Sequence, residues 1–582
     1  MAQERSNISR SRIIRFDRNF LDPDTSLSCI GQGELGGKAH GLTFIRDILR
    51  SVLDPREFPQ ITIDIPSLAV ICTGVFDTFM ARNHLHEIAA SDLSDSRIAY
   101  EFQKAELPFE VLGDLRAIVD QVHMPLAIRS SSLLEDSMHE PFAGIYATKM
   151  IPNNRFDPDV RFHQLVEAIK FVYASTFSSN ARNYRRATGY KDEDEKMAVI
   201  IQEMVGKRYY NHFYPELSGV GRSYNYYPMQ PARPQDGVIS LALGLGKFIV
   251  DGGSAWNYSP AYPKVEPPFG SVEKLMKGTQ TQFWVVNMGD PPDYDPTRET
   301  EYLLLENITT ADKEGSLRYL ASTYMPHSGR LSIGTGFKGP RALTFAPLLA
   351  LEELPFNPLI AKLMAVCEQA LETPVEIEFA MTFNPHRFGF LQVHTMVVPS
   401  GDVRVADEEL ANSRALIAST TVLGNGIDET IQDIVYIKPQ DFELRHTRAV
   451  VPEFVRLNRK LQSLERPYLL VALGRLGTTD PWLGVPINWG QISGAKVIVE
   501  ATQSNIKVEL SQGSHYFHNI INLGIQYFML PPSNHFSIDW GWLAEQPAEE
   551  ELSFVRHVHL AKPLFVKVDG LNSRGVIFKP QE

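Results

Sequence analysis

A chain of 582 residues with 43% hydrophobic and 10% aromatic content can bury substantial cores and has room for roughly two to four domains. Its net charge of −13 argues against nucleic acid as the main partner, because phosphate contacts along a duplex need clustered Lys and Arg. It lacks a run of about eighteen apolar residues, opens on the charged stretch MAQERSNISRSRIIRF and carries only Cys29, Cys72 and Cys367. These features disfavour a bilayer span, a signal peptide, a disulfide framework and a thiolate zinc site, so a cytoplasmic protein with no membrane partner is expected.

After a polar tail over 1–29, GELGGKAHGLTFIRDILRSVL predicts a turn and then a helix, with Leu42, Ile45 and Leu49 at helical spacing behind Gly36-Gly37. A second helix is predicted around 160–176, where Phe162, Leu165, Ile169 and Val172 share a face. MAVIIQEMV (197–205) and GVISLALGL (237–245) read as strands. The Pro-rich stretches SPAYPKVEPPFG and MGDPPDYDPTRET read as surface loops. VEIEFAMTFNPHRFGFLQVHTM (375–396) predicts a β-hairpin turning through Asn384, Pro385 and Gly389. Period-two geometry puts Glu376 and Glu378 on one face of the first arm, and Gln392 and His394 on one face of the second. A polar connection follows Ser400, and from about 415 DIVYIKP, PYLLVAL, AKVIVEA, IKVEL and GVIFKP predict strands, with a helix near 515–527.

Several residues suit phosphate and metal chemistry. Gly36-Gly37-Lys38 opens a helix, where backbone N–H groups and an ammonium could meet an anion. Arg129 ends an apolar run and enters Ser130, Ser131 and Ser132, followed by Glu135, Asp136 and Phe142-Ala143-Gly144. Gln202-Glu203-Met204 closes a strand and could read an adenine edge, and Gly244-Leu245-Gly246 is a glycine-rich loop. Taken alone, Gly36-Gly37-Lys38 fits ordinary turn chemistry better and Gln202-Glu203-Met204 an edge-strand exit, the Arg129 run fits a plain loop with a surface ion pair equally well, and Gly244-Leu245-Gly246 fits a tight turn. Glu376 and Glu378 alternate with Ile377 and Phe379, a carboxylate face suited to a hard cation such as Mg²⁺.

Four blocks in order, GGKAHGL, AIRSSSLLEDSMHEPFAGIYAT, AVIIQEMV, and EIEF followed by FLQVHTM, resemble the ATP-binding domain of the pyruvate phosphate dikinase and phosphoenolpyruvate synthase family, which includes rifampin phosphotransferase. The resemblance runs from about 30 to 398. It implies an α/β (α+β) protein. A two-lobed ATP-grasp-like domain would cover 30–398, with lobes of about 30–195 and 196–398. A linker over 399–414 would lead to a smaller α/β C-terminal domain, 415–582, as phosphoacceptor or substrate module. By position it implies phosphate contact for Lys38 and Arg129, and nucleotide contact for Gly144, Thr148 and Gln202 beside Glu203. It also gives metal or phosphate roles to Glu378 and Gln392, with Glu376 in support and His394 alongside; ATP and Mg²⁺ are the expected cofactors.

The departures from the family bear on turnover. Its Gln-x-Arg-Pro is here Gln392-Val393-His394-Thr395, so a fixed guanidinium has become a titratable ring unless Arg222 or another cation compensates. SGVGRSYNYYP (218–228) only partly matches the family's Gly-Val-x-Phe-Thr stretch. The family's phosphohistidine string, of the Gly-Gly-x-Thr-Ser-His type, does not occur. Fewer than 190 residues follow Ser400, against roughly 250 for the (β/α)₈ barrel that carries the family's phosphoenolpyruvate site. The expectation is a Mg-dependent phosphotransferase acting on a histidine or an unidentified small-molecule or protein acceptor, and not a self-contained phosphoenolpyruvate synthase. The alternative is a nucleotide sensor or scaffold that binds ATP without transfer. An acyl-phosphate ligase shares the fold class but has no support in these blocks, and homo-oligomerisation is left open.

His515, behind the turn and N-cap Gly513-Ser514, is a candidate acceptor at the positive end of a helix, with Arg475 as phosphate clamp and Asp480 as ring orienter. The same residues fit a helix on which His515 and His518 merely pack, cap or bind a metal adventitiously, and the missing histidine motif favours that reading.

Overall fold

The computed structural model describes residues 14–18, 27–135, 144–396, 398, 403–478, 484–502, 520, 523–530 and 538–581, apart from 55, 92 and 189. The chain divides into two compact units, one of Met1–Arg182 with Lys191–Met396, the other of Asn183–Tyr190 with Val397–Glu582.

The first unit begins with β1 (Ile14–Arg15), β2 (Leu27–Ile30), α1 (Gly37–Val52), β3 (Thr62–Asp64), β4 (Leu68–Ile71) and α2 (Thr73–Arg82). There follow β5 (Leu126–Ser132), β6 (Thr148–Ile151), α3 (Pro158–Ser175), β7 (Met197–Glu203), β8 (Leu217–Arg222), β9 (Val238–Ala242) and β10 (Trp256–Tyr258), and the unit closes on the hairpin β11 (Val375–Phe383) and β12 (His386–Thr395). One six-stranded sheet has the order β1-β2-β4-β7-β5-β6, and a second runs β10-β9-β8-β11-β12-β3. The sheets interleave in sequence. β7 sits in the first sheet between β4 and β5, while β3 pairs parallel with β12 at the edge of the second, so a lobe boundary near 195 does not follow the strand pairing. Both strands pair with partners remote in sequence, which local patterning cannot reveal.

Helix α1 joins the two sheets. Leu42 packs with Leu68, Val70, Ala198 and Ile200 of the first sheet, whereas Ile45 belongs to the core beneath the second, with Ile377, Phe379, Phe388 and Phe390. Its start is fixed by Gly36, at φ 73°, where a Cβ would lie 1.7 Å from the Ser131 carbonyl oxygen; only glycine tolerates both conditions. In α3, Leu165, Ile169 and Val172 are buried as the spacing predicts, but Phe162 is only half-buried and Arg161 takes a core position.

The hairpin contains a device that period-two reading misses. Phe388, Phe390, Gln392 and His394 are all even-numbered, so a regular strand would mix aromatic and polar groups on one face. A β-bulge intervenes: Phe379 pairs with Phe390 but Glu378 pairs with Gln392, leaving Leu391 as the extra residue. The aromatic half of β12 therefore faces the core, and Gln392 and His394 emerge on the face that carries Glu378 and Glu376.

In the second unit four central strands, β13 (Asp433–Ile437), β14 (Tyr468–Leu473), β15 (Ala495–Ala501) and β16 (Gln526–Leu530), run parallel, with antiparallel strands flanking them. Their near-continuous burial is that of a sheet covered on both faces. DIVYIKP, PYLLVAL, AKVIVEA and GVIFKP all supply strands, whereas IKVEL lies outside the described residues. The helix expected near 515–527 is corrected at its end. Gly524 takes φ 63°, and Gln526 and Tyr527 already belong to β16, whose aromatic run is buried beside β15.

Candidate functional site

Arg129 stands on β5 and reaches across to the second sheet. Its guanidinium donates to Gln202 Oε1 on β7 at 3.1 Å, to the Leu391 carbonyl at 3.0 Å and to Gln392 Oε1, and lies 3.6 Å from the Glu378 carboxylate. The bulge that turns Gln392 to this face also releases the Leu391 carbonyl from the ladder, which explains that contact. Thr148 lies directly opposite Arg129 in the β5–β6 register. Four residues earlier, Gly144 is exposed at φ 67°. Gln202 Nε2 and Gln392 Nε2 are buried beside Arg129 without a hydrogen-bond acceptor among the described residues. A buried donor left unmet costs about 1–3 kcal/mol, so a ligand rich in acceptors is the complement of this cluster.

Lys38 is held one residue along the same strand. Its ammonium is 2.5 Å from the Glu135 carboxylate and donates to Ser130 Oγ at 3.1 Å, while Ser130 Oγ donates in turn to Glu135 at 3.0 Å. Ser131 Oγ accepts from the Ala39 N–H and donates to the Leu35 carbonyl. The serine run thus fastens the start of α1 to β5. Sequence reading placed Glu135 behind the serine run but gave it no partner; its other oxygen accepts the Ser132 N–H at 3.1 Å, which aims it at Lys38.

The hairpin carboxylates have different surroundings. Glu378 keeps 20% of its side chain exposed, whereas Glu376 is buried in an ion pair with Arg222 Nε at 2.5 Å. Arg222, Glu376 and His394 are consecutive partners across β8, β11 and β12, so Arg222 lies in the row that ends on the histidine. On the strand after Gln202, Glu203 lies 3.9 Å from Arg387, which also pairs with Asp64, and burial raises its carboxyl above the usual range. The backbone N–H groups of Glu203 and Met204 already donate to the Ser67 and Pro125 carbonyls. Of the amide donors expected there for an adenine edge, the Gln202 side chain is the one without an acceptor.

Residues 32–412, more than half of the chain, match the family model described as pyruvate phosphate dikinase, AMP/ATP-binding domain. The chain belongs to this family. Within it, the chain is 32% identical over 131 residues to a probable phosphoenolpyruvate synthase of Archaeoglobus fulgidus, covering 22% of this chain and 14% of that protein. It is 31% identical over 129 residues to a phosphoenolpyruvate synthase of Aeropyrum pernix, covering 22% and 13%. It is also 24% identical over 249 residues to a rifampicin phosphotransferase of Bacillus cereus, covering 41% and 26%. The chain therefore spans about a quarter or less of the length of each of these relatives. The family implies ATP, and the two acceptor-less amides beside a guanidinium fit a polyphosphate and base. A hard cation fits Glu378 better than Glu376, whose charge Arg222 already meets.

In the second unit Arg475 is buried beside Glu500, whose carboxylate accepts the Leu476 N–H at 2.8 Å. Burial pushes the Glu500 carboxyl up to about 7 against the opposing effects of Tyr527, Leu476 and the Arg475 charge. Asp480 and His515 lie outside the described residues. Asp433, Glu549 and His559 form a cluster of metal-ligand types, but the Arg466 guanidinium binds all three, reaching Glu549 at 3.0 Å, His559 Nδ1 at 2.6 Å and both Asp433 oxygens. An arginine supplies the positive charge there. Among the described residues, no helix is long and apolar enough to cross a membrane.

Proposed function

We propose that this chain is a Mg-dependent, ATP-using phosphotransferase of the dikinase type, built on an ATP-grasp-like arrangement of the first unit and passing phosphate to a histidine or an unidentified acceptor. The observation that carries the reading is the Arg129 cluster, in which one guanidinium gathers Gln202, Leu391, Gln392 and Glu378 from both sheets. In this reading Arg129 and Lys38 hold phosphates, Gly144 and Thr148 line the nucleotide, and the Gln202 amide reads the base beside Glu203. Glu378 and Gln392 face the metal, and Glu376 acts through Arg222 and His394. Glu378 and Gln392 would hold Mg²⁺, which would supply charge neutralisation to the phosphates. Glu135 and Glu378 lie against the two cationic side chains, 2.5 Å from Lys38 and 3.6 Å from Arg129.

A second reading, an ATP sensor without transfer, draws on one observation. The Arg222 guanidinium, in the row of His394, is already engaged by Glu376. Incubation of the purified chain with MgATP, resolving AMP, ADP, phosphate and pyrophosphate and assaying acid-labile phosphate on the protein, decides between them. AMP supports dikinase chemistry, ADP alone a simple kinase or ATPase, and neither product with intact binding supports the sensor.

A further inference from the structure

Cys29 and Cys72 stand at the base of the loop that delivers Lys38, and the site above uses neither. Cys29 is on β2; Cys72 follows β4, the parallel neighbour, two residues beyond the Val70 that pairs with Cys29. The separation of two keeps both side chains on one face. They share a core cluster, with Cys72 buried and Cys29 half-buried, and the Cys72 thiol donates at 3.9 Å to the carbonyl of Val70, the residue that pairs with Cys29. From the other side, Arg15 of β1 lies in register with Cys29. The third cysteine, Cys367, is fully buried in the core beneath the second sheet.

We propose that Cys29 and Cys72 are a peroxide-responsive modification site, in which Cys29 is oxidised first and Cys72 resolves it to an intramolecular disulfide. The neighbouring Cys72 thiol, helped by the Arg15 charge and opposed by burial, lowers the Cys29 thiol to about 7, while Cys72 is pushed far up and stays protonated. The thiolate is the nucleophile. Its sulfur attacks one peroxide oxygen, the O–O bond breaks, and a sulfenic acid forms as hydroxide leaves and takes a proton. The Cys72 sulfur then attacks the Cys29 sulfur, the S–O bond breaks, and the departing hydroxide takes the Cys72 proton. In sum, two thiols lose two electrons and one hydrogen peroxide becomes two waters.

The crosslink has a direct path to Lys38. Around it the Cys72 N–H donates to the Ile30 carbonyl, the Thr73 N–H to Glu34, the Glu34 N–H to Thr73 Oγ1 and the Gly74 N–H to Gln32. Drawing the two sulfurs to the roughly 2.05 Å of a disulfide shifts the 31–36 loop against these ties and moves the start of α1. This consequence for nucleotide rests on the phosphotransferase reading; the crosslink does not.

The test treats the reduced full chain with hydrogen peroxide and maps alkylated peptides by mass spectrometry. A Cys29–Cys72 linked peptide should form, with Cys29 reacting at least about tenfold faster than Cys367. Cys72→Ser should stop at a sulfenic acid on Cys29 that dimedone traps, and Cys29→Ser should leave Cys72 unoxidised. A Cys29 that stays free in the wild type, or a Cys29→Ser variant oxidised at Cys72 at the wild-type rate, overturns the site. Fully crosslinked protein should bind ATP more weakly and recover with dithiothreitol. Unchanged affinity after crosslinking overturns the effect on the loop, whereas absence of ATP binding in the reduced protein counts against the nucleotide reading instead.

Discussion

Arg129 draws its contacts from β7, from the bulge of β12 and from the Glu378 carboxylate on β11, so its removal acts on more than one charge. Arg129→Ala withdraws a charge-assisted contact to phosphate, worth about 1.5–3 kcal/mol, and leaves the Gln202 and Gln392 carbonyl oxygens unmet as well. Affinity for a non-hydrolysable ATP analogue should fall roughly ten- to a hundredfold; wild-type affinity in a titration calorimeter would remove Arg129 from the phosphate site. Glu378→Gln keeps volume and removes charge. It should weaken the Mg²⁺ dependence of ATP binding while the circular dichroism spectrum stays as in the wild type, because Glu378 stays partly exposed and meets Arg129 only at 3.6 Å, where Gln202, Leu391 and Gln392 also hold the guanidinium. Glu376→Gln differs in kind: it strands the buried Arg222 guanidinium, and the loss of stability should exceed any change in metal dependence.

At the level of the element, α1 shows what its sequence could and could not reveal. Its apolar spacing and the glycine pair located the helix, but not that Leu42 and Ile45 serve different sheets, since that depends on pairings between strands more than a hundred residues apart. The hairpin behaves similarly. Its two arms and their polar faces were legible from alternation, whereas the convergence of those faces depends on Leu391, an apolar residue with no distinguishing mark in the sequence. Of the candidate site, the cations and carboxylates were legible as types; their partners, Glu135 for Lys38 and Arg222 for Glu376, were not, because ion pairing is settled by tertiary placement. Two glycines, Gly36 capping α1 and Gly41 within it, test the helix's docking. Gly36→Ala meets both a positive φ and the Ser131 carbonyl, so it should lower the unfolding free energy from urea titration by more than the roughly 1 kcal/mol of a simple glycine exchange and weaken ATP binding through Lys38. Gly41→Ala places its methyl no nearer than 3.6 Å from Val393, within a helix interior, and should be neutral or stabilising by up to about 1 kcal/mol. Equal destabilisation by the two exchanges would contradict the close approach of α1 to Ser131.

Across the whole molecule, the second unit carries two buried carboxylates that give its stability opposite pH dependences. Burial alone would push Asp433 up, but hydrogen bonds from His557 and Arg466 and the charges of Arg466 and His559 outweigh it and hold the carboxyl at about 2, below its ordinary 3.8. A depressed carboxyl contributes stability above the unfolded value, and that contribution is lost as pH falls from there through 2. Glu500 has the reverse sign. Its folded value of about 7 lies above the ordinary 4.5, so between those two values the folded chain holds a proton that the unfolded chain releases, and stability falls as pH rises across that window. Glu500→Gln keeps an oxygen to accept the Leu476 N–H and removes the group that must ionise. The variant should match the wild type near pH 4.5 and become progressively more stable than it toward pH 8, by up to about 3 kcal/mol from the usual conversion of a pKa difference. Urea unfolding followed by the fluorescence of Trp489, buried in this unit, measures that difference at each pH. A difference that stays constant from pH 4.5 to 8 would mean that Glu500 is ionised in the folded protein throughout, with the Arg475 charge outweighing its burial.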